Sequence, residues 1–288
     1  MRLIASSISR TAKETIGQKP FAAGVLAVFD RACDLVTPGG DVIAVVTAQL
    51  GDGPLNVVVG AGSSVLGTVE RDAAIRLDAD TLQIGNLEVA LEEAAVWEPC
   101  PDWSALRARL QAIMTSLPAL RAIAARNAPG DSLLAAVGEA GCEELSATSQ
   151  QQAAIVWSEA TKLRSAWKGD ESRLWEVAER LAGVGMGLTP AGDDFLAGVM
   201  LWAWLDHPAP GRLCHVLAEA AVPHTTTLSA AFLRAAARGE CDTSWHRLLV
   251  TLASGSAVQL APAVQQVMAH GATSGADTLA GFLWIAGG

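Results

Sequence analysis

The chain has 288 residues, 51% of them hydrophobic, and a formal net charge of −10 at pH 7. This much apolar material can fill a sizeable core, which excludes an intrinsically disordered chain. The acidic balance disfavours nucleic acid as a partner, because phosphate backbones attract Lys and Arg that this chain does not concentrate. The five cysteines form no C-x-x-C pair and the N-terminus has no signal-peptide core, so we expect a reduced, cytoplasmic protein. The longest apolar run, 195–205, is far below the roughly 18–20 residues that span a bilayer, so no membrane partner is expected.

The chain between residues 24 and 97 has the pattern of short strands. Runs of β-branched residues alternate with turn signals such as Pro38-Gly-Gly-Asp41 and Gly85-Asn86. We therefore expect an N-terminal antiparallel β domain over residues 1–100, either a small barrel or a sandwich. The predicted strands cover 24–29, 42–47, 55–59, 74–77, 82–84 and 87–91.

After residue 101 the pattern becomes helical. Asp102 is a suitable N-cap, and apolar residues between 103 and 117 recur at helical spacing. Similar periodicity predicts eight to ten helices, and Pro118 is expected to kink or split the first of them. The expected fold class is α+β, with a larger, mostly α-helical domain over residues 101–288.

Two of these helices, over 195–205 and 278–285, are apolar on every face. Such helices must be buried among other helices. Gly198 and Gly281 each follow an aspartate by four residues, and a glycine lets another backbone approach closely. We expect both glycines to serve helix packing.

The motif 187–198, G-L-T-P-A-G-D-D-F-L-A-G, brings two adjacent carboxylates to the start of the first apolar helix. Free N–H groups and a partial positive charge at a helix start bind anions. Asp193 and Asp194 are therefore candidate catalytic residues, holding an amide or ammonium group or bridging Mg²⁺ to a phosphate. The simpler alternative is that one of them caps the helix. The candidate substrate-binding residues here are Gly187, Thr189 and Gly192.

A shorter version of this motif, 271–281, precedes the second apolar helix. Thr273, Ser274 and Asp277 are predicted to bind substrate, in a cavity shared with the first motif. The alternative is structural, since Ser274 and Asp277 also fit the S-x-x-D form of a capping box.

A third polar cluster, residues 224–229, lies at the start of another predicted helix. Its hydroxyl groups can bind a phosphate or a small carboxylate, although Thr and Ser are also ordinary N-cap residues. His224 is a candidate catalytic base or a structural histidine. The other histidines lack H-E-x-x-H spacing, so no histidine-based zinc site is predicted. The candidate substrate-binding residues of this cluster are Thr225, Thr226, Thr227 and Ser229.

The motif 187–198 resembles the hallmark G-L-T-P-S-G-D-D-x-L-x-G of a bacterial family that was once labelled putative carboxylase. That family includes AllH, a subunit of oxamate carbamoyltransferase. Weaker stretches over 24–35, 227–240 and 271–281 agree in the same order, so the resemblance covers most of the chain. Ala191 stands where the motif has serine, and Leu26 stands where the family has a polar residue.

The resemblance implies a subunit that acts with FdrA-type partner subunits. Its small anionic substrates would be carbamoyl phosphate and oxamate, which give oxalurate and phosphate. Catalysis would consist of positioning and electrostatic stabilisation. Apart from the resemblance, the paired carboxylates of Asp193 and Asp194 suggest Mg²⁺ as a cofactor. Two other classes stay open: a noncatalytic scaffold or small-carboxylate-binding subunit, and a stand-alone metal-dependent hydrolase or carboxylase.

Overall fold

The computed structural model describes residues 1–17, 21–60, 64–78, 80–137 and 146–287. The chain divides into two compact units, residues 1–99 with 241–243 and residues 100–240 with 244–288. The first contains the strands and the second is helical, which confirms the α+β class. None of the helices in the described ranges combines the length and apolar character that crossing a membrane requires.

The strands of the first unit form one sheet in the order β5-β4-β3-β2-β6-β7-β8-β1-β9. Because β5 also pairs with β1, strands β1 to β8 close into a barrel, and β9 pairs with the second half of β1. Of the two predicted architectures, the structure has the barrel. The strands are β1 (Arg2–Ser9), β2 (Phe21–Phe29), β3 (Ala32–Val36), β4 (Val42–Thr47), β5 (Asn56–Val59), β6 (Ile75–Leu77), β7 (Thr81–Ile84), β8 (Leu87–Ala90) and β9 (Ala95–Trp97).

Alternate residues of the strands fill the barrel. Cys33 and Leu35 of β3 lie opposite Val45 and Ile43 of β4, and all four side chains are fully buried. This alternation follows from the two-residue period of a strand. A short helix, α1 (Arg10–Ile16), follows β1, and Ile16 joins the same core.

The described chain after residue 102 contains ten helices, within the predicted eight to ten. Short 3-10 turns occur at Ser64–Thr68, Ala135–Val137 and Val222–His224. The helices are α2 (Trp103–Arg107), α3 (Leu110–Asn127), α4 (Ala147–Ala166), α5 (Glu171–Leu181), α6 (Ala191–Asp206), α7 (Pro210–Ala221), α8 (Thr227–Ala237), α9 (Thr243–Ser254), α10 (Ala257–Met268) and α11 (Ser274–Ala286).

Two local predictions need correction. The sheet is not wholly antiparallel, since β1–β8, β1–β9 and β4–β5 are parallel pairs. Of the two effects expected of Pro118, the split is wrong, because Pro118 lies inside α3 and the break falls before Leu110. Ile113, Leu117 and Leu120 bury one face of α3 on both sides of the proline. This packing keeps the helix continuous across a residue that disfavours it.

Candidate functional site

The helices α6 and α11 touch along their backbones. Phe195 of α6 and Phe282 of α11 are fully buried, and burying a side chain of this size contributes about 1.5–3 kcal/mol. A Cβ added to Gly198 would overlap the carbonyl oxygen of Thr278, and one added to Gly281 would overlap that of Phe195. The prediction that both glycines serve helix packing is confirmed.

The same glycine and aspartate positions recur in the two helices. A Cβ on Gly192 would overlap the carbonyl oxygen of Leu181 in α5, and one on Gly275 would overlap that of Val267 in α10. Each half of this arrangement is therefore a helix, a loop and an apolar helix packed back onto it. The corresponding residues are Gly192 and Gly275, Asp194 and Asp277, and Gly198 and Gly281.

α6 and α11 run parallel, so their N-termini lie side by side. The hydroxyl of Ser274, the first residue of α11, lies close enough to Asp194, in the first turn of α6, to lower the pKa of that carboxyl. Further along, a Cβ on Gly198 would lie 2.7 Å from the backbone nitrogen of Phe282. Because the contacts advance in the same direction along both helices, the positive dipole ends of both face one place. Part of the backbone there is already paired, since the N–H of Gly192 donates to Val184 and that of Gly275 to His270.

Asp193 is buried, and protein donors reach both of its oxygens. Oδ1 accepts from the backbone N–H of Gly183 at 3.1 Å, and Oδ2 accepts from the hydroxyl of Thr225. The hydroxyl of Ser229 also donates to this carboxylate. Burial raises the pKa of Asp193, and the three hydrogen bonds oppose that rise. Asp193 thus joins the loop after α5 to the polar cluster around α8.

Asp277 is also buried and bonded within the protein. Its Oδ1 accepts from the backbone N–H of Leu133 at 2.6 Å, and the hydroxyl of Thr273 donates to the same carboxylate. Burial raises the pKa of Asp277 to about 7, although both hydrogen bonds act to lower it. Asp277 therefore holds the turn that follows α3 against the start of α11.

Asp194 differs from both neighbours because one of its oxygens is unpaired. The residue is 7% exposed, and its Oδ2 is buried without a hydrogen-bond partner among the described residues. Burial raises the pKa of Asp194 well above its usual range, and the charges of Asp277 and Asp193 add to that rise. The Ser274 hydroxyl lowers it less. The site therefore presents a carboxyl that favours its neutral form and has hydrogen-bonding capacity to spare.

The alternative interpretation of the aspartates as helix caps is wrong. Pro190 is the N-cap of α6 and Thr273 that of α11, and neither helix has a side-chain cap hydrogen bond. α6 begins at Ala191, so Asp193 and Asp194 lie inside its first turn. The Asp193 carboxylate accepts hydrogen bonds from Gly183 and Thr225, which belong to other segments of the chain.

The cluster before α8 has both structural and site contacts. Thr226 is the N-cap of α8 and accepts a hydrogen bond from the backbone N–H of Ser229 at 3.1 Å. Its own hydroxyl donates to the carbonyl oxygen of Leu188, in the loop before α6. Thr227 is exposed at the first position of α8. Thr226 therefore performs the ordinary capping role and also fixes the motif loop.

The remaining predicted residues lie at the edge of this cluster. His224 is at the surface, where Nε2 lies 3.3 Å from Oε1 of Glu179 in α5 and both side chains are about half exposed. Gly187 is exposed and Thr189 half-buried in the loop between α5 and α6. The structure thus brings the hydroxyls of Thr225, Ser229 and Ser274 onto buried carboxylates and leaves the His224 ring paired with Glu179.

Sequence reasoning missed two backbone donors. The N–H of Gly183 belongs to a residue with φ of 71°, and a Cβ there would lie 2.7 Å from the carbonyl oxygen of His224. The glycine at every second position over 183–187 indicates a close backbone approach in this loop. No sequence pattern indicates the N–H of Leu133 as a donor, because only the tertiary fold brings it to Asp277.

The residues around Asp193 and Asp194 were also tested as a Mg²⁺ site. Mg²⁺ prefers near-octahedral coordination by oxygen ligands. No three His, Cys, Asp or Glu side chains within the described ranges are placed to hold a metal ion together. Both oxygens of Asp193 already accept hydrogen bonds from the protein. These residues offer a poor fit to Mg²⁺.

A separate open cavity of about 510 Å³ lies beside α5 and α7. Arg212 lines it but is paired with Glu171. His207 is also engaged, with Nε2 bonded to the carbonyl oxygen of Trp167 and Nδ1 accepting from the backbone N–H of Ala209. Because Arg212 and His207 already have partners, neither side chain is free to bind a ligand in this cavity. None of the motif residues lines it.

Two family models match the chain. The model described as "Oxamate carbamoyltransferase subunit AllH" matches residues 181–286, which include both aspartate motifs and the cluster before α8. The model described as "AllH family N-terminal domain" matches residues 4–96, the barrel. No solved structure matches the chain.

Proposed function

The chain belongs to the AllH family, and on that premise we propose that it is a carbamoyltransferase subunit whose substrate site lies at the paired N-termini of α6 and α11. The family's description as an oxamate carbamoyltransferase subunit supplies the reaction class. The residues that meet at the two helix starts supply the location.

The reaction that we propose is the transfer of a carbamoyl group from carbamoyl phosphate to oxamate. The oxamate nitrogen attacks the carbamoyl carbon, so a C–N bond forms and the C–O bond to phosphate breaks. Phosphate leaves with the electron pair and takes up the proton that the nitrogen loses, which gives oxalurate. Both substrates carry anionic oxygens, and helix N-termini bind anions. Both also carry an N–H₂ group, which can donate a hydrogen bond to a carboxyl oxygen.

The observation that carries this proposal is the convergence of three separate polar segments. Thr225 donates to Asp193, Ser274 donates to Asp194, and Thr226 donates to the backbone of Leu188. A capping role accounts for Thr226 alone. Three buried carboxyls at two parallel helix starts are costly to desolvate, and such a cluster is typical of a functional site.

Within this site we assign different roles to the carboxyls. Asp193 and Asp277 position the loops, because their oxygens are held by protein donors. Asp194 faces the ligand, because its Oδ2 has no partner among the described residues. Rate acceleration then comes from alignment of two bound substrates and from electrostatic stabilisation by backbone N–H groups.

We further propose that the chain works with partner subunits of the FdrA type. The description of the family as a subunit supports a multi-subunit enzyme. The substrate site on this chain would then be one part of the complete active site.

The test is to reconstitute the chain with its FdrA-type partners and to follow the phosphate-dependent breakdown of oxalurate. We expect Asp193→Asn to lower kcat/KM about 100-fold, since misplaced loops cost roughly this much. Asp206→Asn is the matched control, because Asp206 is exposed at the other end of the same helix. Wild-type activity in Asp193→Asn and in Asp194→Leu would contradict the proposed site. Tight partner binding without binding of oxamate or carbamoyl phosphate would favour a scaffold instead.

A further inference from the structure

We propose that the Asp194 carboxyl recognises the primary amide group, H₂N–C=O, of the acceptor substrate and makes the site selective for oxamate over acids without that group. The inference rests on the proposed function and specifies how its site distinguishes substrates. No family description assigns this role to Asp194.

The hydrogen bonds within the cluster single out Asp194. Both oxygens of Asp193 and the Oδ1 of Asp277 accept from donors of the protein. Asp194 accepts from Ser274, and its Oδ2 is buried without a partner among the described residues. An unpaired buried carboxyl oxygen is unfavourable, so a ligand that supplies the missing hydrogen bond binds selectively.

A primary amide matches this carboxyl chemically. The amide has N–H donors and a carbonyl acceptor, and a neutral carboxyl has an acceptor and an O–H donor. The titratable groups that face Asp194 are Asp193 from α6 and Asp277 from α11, and both favour its neutral form. An ionised carboxylate also accepts from an amide N–H, so the recognition holds in either form.

The position of Asp194 allows the rest of the ligand to be held nearby. The carboxyl lies where the positive dipole ends of α6 and α11 meet, and these ends attract the carboxylate of oxamate. The loop beside it reaches the surface, because Met186 is 79% exposed and Leu188 is also exposed. In the proposed complex the positive helix ends hold the anionic end of the ligand, and Asp194 holds its amide.

Oxamate and pyruvate form the decisive ligand pair. They have the same size and charge, and pyruvate has a methyl group in place of the N–H₂. A site built to hydrogen-bond an N–H group rejects an analogue that lacks it by a large factor. We expect the wild-type chain, assembled with its partners, to bind oxamate at least about 100-fold more tightly than pyruvate in calorimetry.

Two substitutions separate recognition from folding. Asp194→Leu keeps the branched shape and the number of side-chain heavy atoms and removes the polar atoms, so the oxamate preference should fall to within about threefold. Asp194→Asn keeps one donor and one acceptor and should retain most of the preference. If Asp194→Leu fails to fold, the smaller Asp194→Ala replaces it and should lose the preference in the same way.

The outcomes distinguish this inference from the proposed function. Equal binding of oxamate and pyruvate by wild type would overturn the inference and leave the function intact. A preference that survives unchanged in folded Asp194→Leu would also overturn it. Failure of oxamate to bind the chain, alone and with its partners, would overturn the proposed function and this inference with it.

Discussion

A side-chain carbon on Gly198 would overlap the carbonyl oxygen of Thr278, because the backbones of α6 and α11 touch at this point. The contact lies one helical turn beyond Asp194, and the matching contact of Gly281 lies one turn beyond Asp277. The glycines therefore fix how closely the two carboxyls approach. Helix packing and the chemistry of the site depend on the same pair of helices.

The first prediction concerns this contact. Gly198→Ala should lower the free energy of unfolding by about 3 kcal/mol or more, because neither backbone can move away without opening the core. Gly211→Ala is the control: Gly211 is also helical, but its added Cβ would lie 3.9 Å from the Trp204 ring, an ordinary contact. That variant should be as stable as wild type or slightly more so. Denaturant unfolding that gives equal values for the two variants would contradict the packing role.

The second prediction concerns the hydrogen bond between Asp193 and Thr225. Because the two side chains are in direct contact, Asp193→Asn and Thr225→Val should be non-additive, with a coupling energy of about 1 kcal/mol. The control pair is Asp193→Asn with Thr227→Val, because Thr227 is exposed at the start of α8. That pair should be additive within about 0.5 kcal/mol. Additivity of the first pair in a double-mutant cycle of thermal unfolding would show that the contact contributes nothing.

Much of the helical site was predictable from the sequence, and its caps were not. The repeated spacing of Asp194 and Gly198, Asp277 and Gly281 predicted two packed helices, and the structure confirms them. The predicted caps were wrong because the first residue of a helix depends on backbone geometry. Here α6 begins after Pro190, and sequence propensities locate such a start only to within a few residues.

Other features could not be read from local sequence at all. The N–H of Leu133 reaches Asp277 across 144 residues, and no local pattern encodes that approach. The strand Arg2–Ser9 was missed because its serines interrupt the apolar alternation. All three still lie in the sheet: the Ser6 hydroxyl donates to the carbonyl oxygen of Val58, and Ser7 and Ser9 pair with β9. Tertiary contacts therefore decided both features.

The third prediction is a pH dependence that arises in the barrel. Asp34 of β3 is buried, and burial raises its pKa from 3.8 to about 6. The folded chain therefore holds this proton more tightly than the unfolded chain, so the stabilisation present below pH 4 is lost as the pH rises through 6. Asp34→Asn cannot ionise and should gain up to about 3 kcal/mol relative to wild type between pH 4 and pH 7.

Thermal or denaturant unfolding at both pH values measures this gain. Asp41→Asn serves as the control, because Asp41 is exposed close to the same strands and the substitution removes the same charge. Its stability difference from wild type should be nearly independent of pH. An Asp34→Asn difference that is the same at pH 4 and pH 7 would contradict the buried, ionising carboxyl.

The crystal structure of the chain assembled with its partner subunits and oxamate tests the central claim most directly. We predict that oxamate lies at the N-termini of α6 and α11, with its amide within hydrogen-bonding distance of Asp194 and its carboxylate against backbone N–H groups. Oxamate bound instead in the cavity lined by Trp167, His207 and Arg212, with the α6 and α11 termini empty, would contradict the account.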